Sequence, residues 1–322
     1  MSRTLQRQED IARDGRALFV FLLASLLVLG AVFLLRPGWL DEPGAPSTEM
    51  HTAKNDSDAG TRRPERSDAD GATTRTLIFK PPSTTPAMDP LEKAIMDETN
   101  RYRGQARLTE LSPDGVLADV ARQHSRDMAN REYFAHVDPD GKSHRWRVAR
   151  GHRTLIGLTA ENLDRQSTLD VSDRDLARRI VAGWMERVRQ RKNILAADLS
   201  HMGVGVFRHG DAVYATQLLA SVWSYLDDEI PDEIGAGQSL SVSGRMAGGR
   251  PEVAALRIVD APWSGEAEST AEFPAKTTPD SRFAIPDRPT PQPGTRQLVL
   301  RFGSSLRSGR VVLRPGPIVE VR

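Results

Sequence analysis

The chain has no cysteine among its 322 residues, which excludes a disulfide scaffold, a zinc ribbon, a cysteine-ligated iron-sulfur cluster and a cysteine nucleophile. The redox compartment stays undecided, because chains without cysteine occur on both sides of membranes. Charge of one sign is also missing: 44 Lys and Arg against 43 Asp and Glu leave a formal net charge of +1. No global field exists to draw in a polynucleotide, so dedicated nucleic-acid binding is disfavoured. Apolar content is lean, at 39% beside 27% charged residues, so part of the chain is expected to stay outside any core. The length is about twice the soft prior of roughly 150 residues per domain, which predicts two folded units with tails.

One apolar run is long. Ala17 to Leu35 carries no charge, with Ser25 and Gly30 as its only non-hydrophobic residues. At about 1.5 Å per residue such a helix spans roughly the 30 Å of a bilayer's hydrocarbon. The run is longer than the apolar segment of a usual signal peptide, and Arg36-Pro37-Gly38-Trp39 offers no small-x-small cleavage site, so an uncleaved anchor is the preferred reading. Arg3, Arg7, Arg13 and Arg16 precede the run, whereas only Arg36 follows it closely before Asp41 and Glu42. The positive-inside bias then keeps residues 1–16 in the cytoplasm and sends everything after the span across the membrane, to a periplasmic or extracellular location. Residues 36–88, rich in Pro, Ser, Thr, Asp and Gly, cannot bury enough surface to offset ordering entropy and read as a disordered tether.

From Pro90 the periodicity becomes helical, with Leu91, Ala94, Ile95 and Tyr102 on one face. Ser112-Pro113 reads as an N-cap with proline at the first helical position, followed by an apolar stripe of Leu117, Val120, Ala121, His124 and Met128. A third helix is expected from Ser172, with Asp173 and Asp175 suiting its N-terminal dipole and Leu176, Ile180 and Trp184 pointing inward. Two strands follow, His201 to Arg208 and Ala212 to Ala220, around the turn-forming His209-Gly210-Asp211. Helices followed by a hairpin indicate an α+β layer fold. Leu226 to Gly237 reads as an interdomain linker, and residues 238–322 as a small all-β, sandwich-like module with short strands and an irregular stretch from Trp263 to Pro293.

Four strings in the central region stand out: Asn100-Arg101-Tyr102-Arg103, Ala121-Arg122-Gln123-His124-Ser125-Arg126-Asp127-Met128, Tyr133-Phe134-Ala135-His136-Val137-Asp138-Pro139-Asp140-Gly141, and Ala160-Glu161-Asn162-Leu163. Gly183-Trp184-Met185, Asn193-Ile194-Leu195, His201-Met202-Gly203-Val204-Gly205-Val206 and Tyr214-Ala215-Thr216-Gln217 follow in order. Over about residues 88–223 this collinear set resembles the bacterial branch of the CAP superfamily, named for cysteine-rich secretory proteins, antigen 5 and plant pathogenesis-related proteins, whose domain is also called SCP. The resemblance implies an exported α-β-α sandwich at residues 89–225, with a surface cleft that in many members holds two His and two Glu. Carried over by position, His136 takes the place of the first cleft histidine and Glu161 that of the first glutamate. The other half departs from the pattern: Gln190 stands where the second histidine would be, and Arg187 occupies the slot of the second glutamate. Glu186, one residue earlier, points about 100° away on a helix.

Zinc wants three or four His, Cys or carboxylate ligands, and a neutral Gln amide beside an arginine is a poor substitute. No metal and no cofactor are therefore expected. His136 and Glu161 read either as a pair fixing the loop after the second helix or as part of a ligand site, in which case Arg187 favours an anionic or hydroxyl-rich ligand. His124, on the apolar stripe, reads as a satisfied core histidine. Ser125 beside it faces about 100° away and forms no nucleophilic pair with it. His201 begins a strand in which Gly203 and Gly205 leave room on one sheet face, so it either approaches the cleft or caps the strand, with the structural role preferred. Asn193 belongs to the same candidate set. Arg147, Arg150 and Arg153 with His144 and His152 form a basic loop, read as a solvated surface in preference to a contact for phosphate or an anionic lipid head group. Three functions follow: a membrane-anchored binding module without turnover, taking a cell-envelope lipid, glycan or protein partner through a degenerate cleft; a metal-assisted, peptidase-like hydrolase of the envelope; or a scaffold whose working contact lies in the C-terminal module.

Overall fold

A computed structural model describes residues 88–167, 171–248, 252–265, 271–289, 292–303 and 311–322. The expected anchor at 17–35 and all of the tether but Met88 lie outside these residues. Among the described residues, no helix is long and apolar enough to cross a membrane.

Asp89 caps the first helix, α1 (Pro90–Gln105), accepting the Leu91 N–H at 2.8 Å. The second, α2 (Gly115–Asn130), is capped by Asp114, whose Oδ1 accepts from Val116 and Leu117 at 3.0 and 2.9 Å. Ser112-Pro113 is therefore no cap: it forms a two-residue strand, β1 (Ser112–Pro113), paired in parallel with His201 and Met202. The short α3 (His144–Gly151) leads into β2 (Leu155–Ser167). Ser172 caps α4 (Asp173–Glu186), and α5 (Val188–Ile194) follows after Arg187, whose extended backbone breaks the helix between them. The hairpin β3 (His201–His209) and β4 (Ala212–Leu226) closes the domain.

These elements make three layers. In the central sheet β4 lies between β3 and β2, and among the described residues β2 pairs only with β4. On one face α1, α4 and α5 bury Leu91, Ile95, Ile180 and Trp184 against Met202, Val204 and Leu219. On the other, α2 and α3 bury Leu117, Val120 and Val148 against Leu218 and Ala220. Leu218 and Leu219 enter opposite cores because successive strand residues face opposite ways. The room that Gly203 and Gly205 leave is filled by α2 itself: a Cβ at either glycine would overlap the backbone of Ala118 or Arg122. The same contact buries Glu92 of α1, which takes two parallel hydrogen bonds from Arg122 of α2 (2.8 and 2.7 Å) and one from the Val206 N–H of β3 (3.1 Å). A bidentate arginine clamp of this kind fixes three elements at once.

The C-terminal region contains β5 (Glu233–Ile234), β6 (Ser239–Met246), β7 (Val253–Asp260), β8 (Ala271–Pro274), β9 (Lys276–Thr277), β10 (Arg282–Pro289), β11 (Gly294–Phe302) and β12 (Val312–Val321). One sheet runs β5-β12-β11-β7-β8; β6, β10 and β9 join the other through the end of β4, where Ser224, Tyr225 and Leu226 pair with Met246, Arg245 and Gly244. Between the two lies a core of Leu240, Val242, Leu256, Ile258, Leu298 and Phe302, which Ile156 of β2 and Trp223 of β4 also enter.

The Leu226 to Gly237 stretch differs from the linker reading. Leu226, Ile230 and Ile234 are buried in that core, and Arg153 reaches across to it. Its guanidinium donates to the carbonyls of Ile230 (2.7 Å), Pro231 (2.7 Å), Ile318 (2.6 Å) and Ala149 (3.2 Å). The solvated-loop reading of Arg153 is thus corrected: it is a staple between the two halves. Trp263 to Pro293, read as irregular, contains β8, β9 and β10.

Candidate functional site

Glu161 sits in the middle of β2, and its neighbours follow from strand alternation. Its side chain turns towards α2 and α3 and is only 1% exposed. The next residue, Asn162, turns to the opposite layer, where its Nδ2 donates to Gln217 Oε1 (3.0 Å) and its Oδ1 accepts from Asn193 Nδ2 (3.0 Å). Gln217 Nε2 continues the chain to Thr99 Oγ1 of α1 (2.9 Å). This buried relay, fully partnered, pins β2 to α1 and α5. On the free edge of β2, Asn193 Nδ2 donates to the Glu161 carbonyl (3.2 Å) and the Trp184 indole N–H to the Leu163 carbonyl (2.9 Å), which caps backbone groups that an edge strand otherwise leaves open. Asn193 is therefore a positioning residue.

Around the Glu161 carboxylate, His136 Nδ1–H donates to Oε1 at 2.9 Å and Arg147 Nη2 to Oε2 at 2.8 Å. Arg147 also donates to the carbonyls of His136 (3.1 Å) and Lys142 (2.8 Å), so it ties the loop after α2 to the sheet. His124 of α2 is buried with Nε2 at 4.0 Å from Oε2, and that N–H donates to the Ala135 carbonyl at 3.1 Å. His144 of α3 donates through Nε2–H to the Thr159 carbonyl at 3.1 Å. Desolvation would raise the pKa of Glu161, but the His136 hydrogen bond and the nearby Arg147, His144 and His124 outweigh it and bring the carboxyl down to about 2. Desolvation likewise lowers His124, and takes His144 down to about 4. Both rings are neutral at pH 7.

Arg147 and His144 are the residues that sequence reasoning missed, having assigned both to a solvated loop. Their signal is the spacing of three on α3, which puts both on one helix face, towards the Glu161 carboxylate of β2.

A cleft of about 310 Å³ opens along the β2 edge, lined by Phe134 and His136 from one layer, Arg187 and Gln190 from the other, and Leu163 to Gln166 between. With Nδ1 engaged, His136, 42% exposed, has Nε2 left to offer the cleft. Arg187, 54% exposed, holds Asp164 Oδ2 at 3.3 Å; burial raises the Asp164 pKa despite the partial relief from Gln166 and Arg187. Phe134, Val137 and Val188 are exposed. Of the sequence-named residues, His136, Arg187 and Gln190 line the cleft, Glu161 stands behind His136, and His124 and Asn193 form its support. Glu186 is exposed and lines nothing here. His201 lies elsewhere, its ring edge-on to Tyr225 with centroids 5.8 Å apart; Tyr225 in turn donates to Asp114 (3.0 Å), which also pairs with His152 (3.1 Å).

The donor set does not fit a divalent cation. A guanidinium occupies Oε2 of Glu161, an arginine and a glutamine stand at the other two positions, and among the described residues no three His, Asp or Glu converge as ligands. What the exposed groups can do is donate hydrogen bonds and positive charge to an anionic or hydroxyl-bearing group, beside an apolar rim.

The model of the cysteine-rich secretory protein family, CAP, matches residues 96–223. The uncharacterized membrane protein YlbC of Bacillus subtilis is 35% identical over 132 residues, 41% of this chain and 35% of that protein. The uncharacterized protein YkwD of the same organism is 27% identical over 170 residues, 52% of this chain and 59% of that one. The chain thus spans less than two thirds of either relative. A Bacillus anthracis extracellular protein containing an SCP domain, of known structure, is 29% identical with a TM-score of 0.35, covering 42% of this chain and 44% of that one.

Proposed function

Given that residues 96–223 belong to the CAP family, we propose that the chain is a membrane-anchored, extracytoplasmic binding protein that holds an anionic or hydroxyl-rich envelope ligand in the cleft without turning it over. One observation carries the reading: the Glu161 carboxylate, 1% exposed, already has both oxygens engaged by His136 and Arg147. A carboxylate so committed, with a pKa of about 2, is a poor general base and offers no lone pair to the cleft. Among the groups lining the cleft, Arg187 and Gln190 donate, and His136, whose Nδ1–H is given to Glu161, offers Nε2 as an acceptor for a hydroxyl. The metal-assisted hydrolase reading needs the ligand set that the geometry breaks up.

Support for the anchor comes from the uncharged run Ala17 to Leu35 with its arginine-rich N-terminal flank and from the relative YlbC, which is named a membrane protein. Protease added to intact cells should remove a C-terminal tag, whereas the same tag at the N-terminus should survive until the cells are lysed. The reverse pattern would defeat the topology.

The binding claim is tested with a polyol-phosphate oligomer and a neutral hexosamine oligosaccharide. Saturable binding is expected, weakening with salt as charged contacts do. Arg187→Glu should lower affinity for the anionic oligomer about tenfold, which corresponds to about 1.4 kcal/mol, and mass spectrometry should recover the oligomer unchanged. Cleavage that disappears in Glu161→Gln would replace this reading with the hydrolase.

A further inference from the structure

A second cavity, of about 160 Å³, lies at the seam between α3, β2, the loop after β7 and the β11-β12 pair. It shares no lining residue with the cleft, and nothing in the binding reading above uses it. Its walls are mostly apolar, with Thr159, Ser264 and Gln297 as the neutral polar side chains among them: Val148 and Ala149 of α3 and Leu155 and Leu158 of β2 are buried, and the half-buried Trp263 and Pro315 face them from the other half. The Trp263 wall is preformed. Its backbone N–H donates to Gln297 Oε1 (2.8 Å), and the buried Gln297 spends its Nε2 on the Gly316 carbonyl (2.9 Å).

Size and charge narrow the occupant. An apolar hole of about 150 Å³ stays dry and accepts benzene, so this one takes a single six-membered ring or a chain of about six carbons. The dispersion contacts that an empty hole forfeits are recovered by such a body. Among the described residues no carboxylate lines the cavity, and the one charged lining residue is Arg145, which is exposed and has no ion pair there. We propose that the seam cavity binds a small amphiphilic monocarboxylate, its apolar body between Ala149, Leu158 and Trp263 and its carboxylate on Arg145.

The test uses the full chain in lipid nanodiscs, so that no detergent tail competes, with benzoate and hexanoate as probes, benzyl alcohol as the uncharged isostere and protein-free nanodiscs as blank. Calorimetry and saturation-transfer NMR should give one site with a Kd on the order of 0.1 to 1 mM, as expected for about nine heavy atoms. Arg145→Ala should weaken benzoate about three- to tenfold and leave benzyl alcohol within about twofold. Ala149→Leu fills the space and should abolish binding of both. Should that variant not fold, Trp263→Ala, which only removes a half-exposed wall, should weaken both by about fivefold or more. The proposal falls if neither carboxylate saturates by about 10 mM, if binding survives both wall variants, or if Arg145→Ala affects acid and alcohol alike.

Discussion

Glu161→Gln is expected to cost about 3–5 kcal/mol of stability at pH 7, the range for breaking a buried ion pair by removing one partner. The substitution keeps the side-chain volume, so the effect is one of charge. Arg147, 13% exposed, loses its closest counterion and keeps only Asp138 at 4.0 Å, and because the amide has a single acceptor oxygen, either Arg147 or His136 is left facing an NH2 group. The pH dependence follows from the depressed carboxyl. A group that titrates near 4.5 unfolded and about 2 folded contributes stability that is complete above about pH 4.5 and is lost as pH falls towards 2. Over that window the wild type should lose on the order of 3 kcal/mol through this group, while the Gln variant lacks that component. His144, lowered to about 4, adds acid sensitivity between about pH 6.5 and 4 in both proteins, so only the difference between the two curves reports Glu161. Denaturant midpoints from pH 7 to 3 check this. A gap under about 1 kcal/mol at pH 7, or one that fails to narrow in acid, would mean that the carboxylate is not the anchor of the loop.

Arg153→Met should cost a comparable amount, about 3–5 kcal/mol, but at a different place. Desolvation lowers the Arg153 pKa to about 10, so it is still cationic at neutral pH, and hydrogen bonds from a charged donor are worth about 1.5–3 kcal/mol each. Four of them radiate to the carbonyls of Ala149, Ile230, Pro231 and Ile318; in the variant these carbonyls lose a donor in a half-dry seam. Lysine should rescue little, because a single ammonium cannot reproduce the planar fork. Hydrogen exchange should accelerate at residues 230–234 and around Ile318, while amides of the β3-β4 hairpin keep their protection. Uniform acceleration across both halves would show that Arg153 supports the whole fold and not the seam.

Much of the layer order could be read in advance. The stripes of α1, α2 and α4 are periodic, and most of their inward residues are buried, although on α1 Ala94 and Tyr102 are half-buried and the polar Glu92, Thr99 and Arg103 are buried as well. What escaped was β2, and the reason is physical: Leu155 to Asp164 is buried on both faces, so its sequence does not alternate, and it reads as neither a half-exposed strand nor a helix. With β2 unplaced, nothing told Arg147 and His144 which carboxylate they served. Gly203 and Gly205 were legible as missing side chains but not as the places where a helix backbone comes to rest. Likewise Pro315 and Pro317 split β12 into two apparent pieces, although it runs as one strand whose pairing with β11 shifts register between Gln297 and Val299, a place where proline is tolerated. In the cleft, the resemblance supplied His136, Arg187 and Gln190, which one cavity brings together; that Glu161 stands behind them, spoken for, needed coordinates.

The 15 residues of β4 pair with β3 and β2 along most of their length and with β6 at their end, carrying one sheet from the layered half into the C-terminal half, and this makes the matched domain hard to excise. A fragment stopped at residue 225 would strip Ser224 and Tyr225 of their β6 partners and leave Ile156 and Trp223 wet, a sticky scar ready to recruit neighbours. In this protein the natural unit of recombination, and of any truncation meant to isolate the cleft, is the whole block from Pro90 onward.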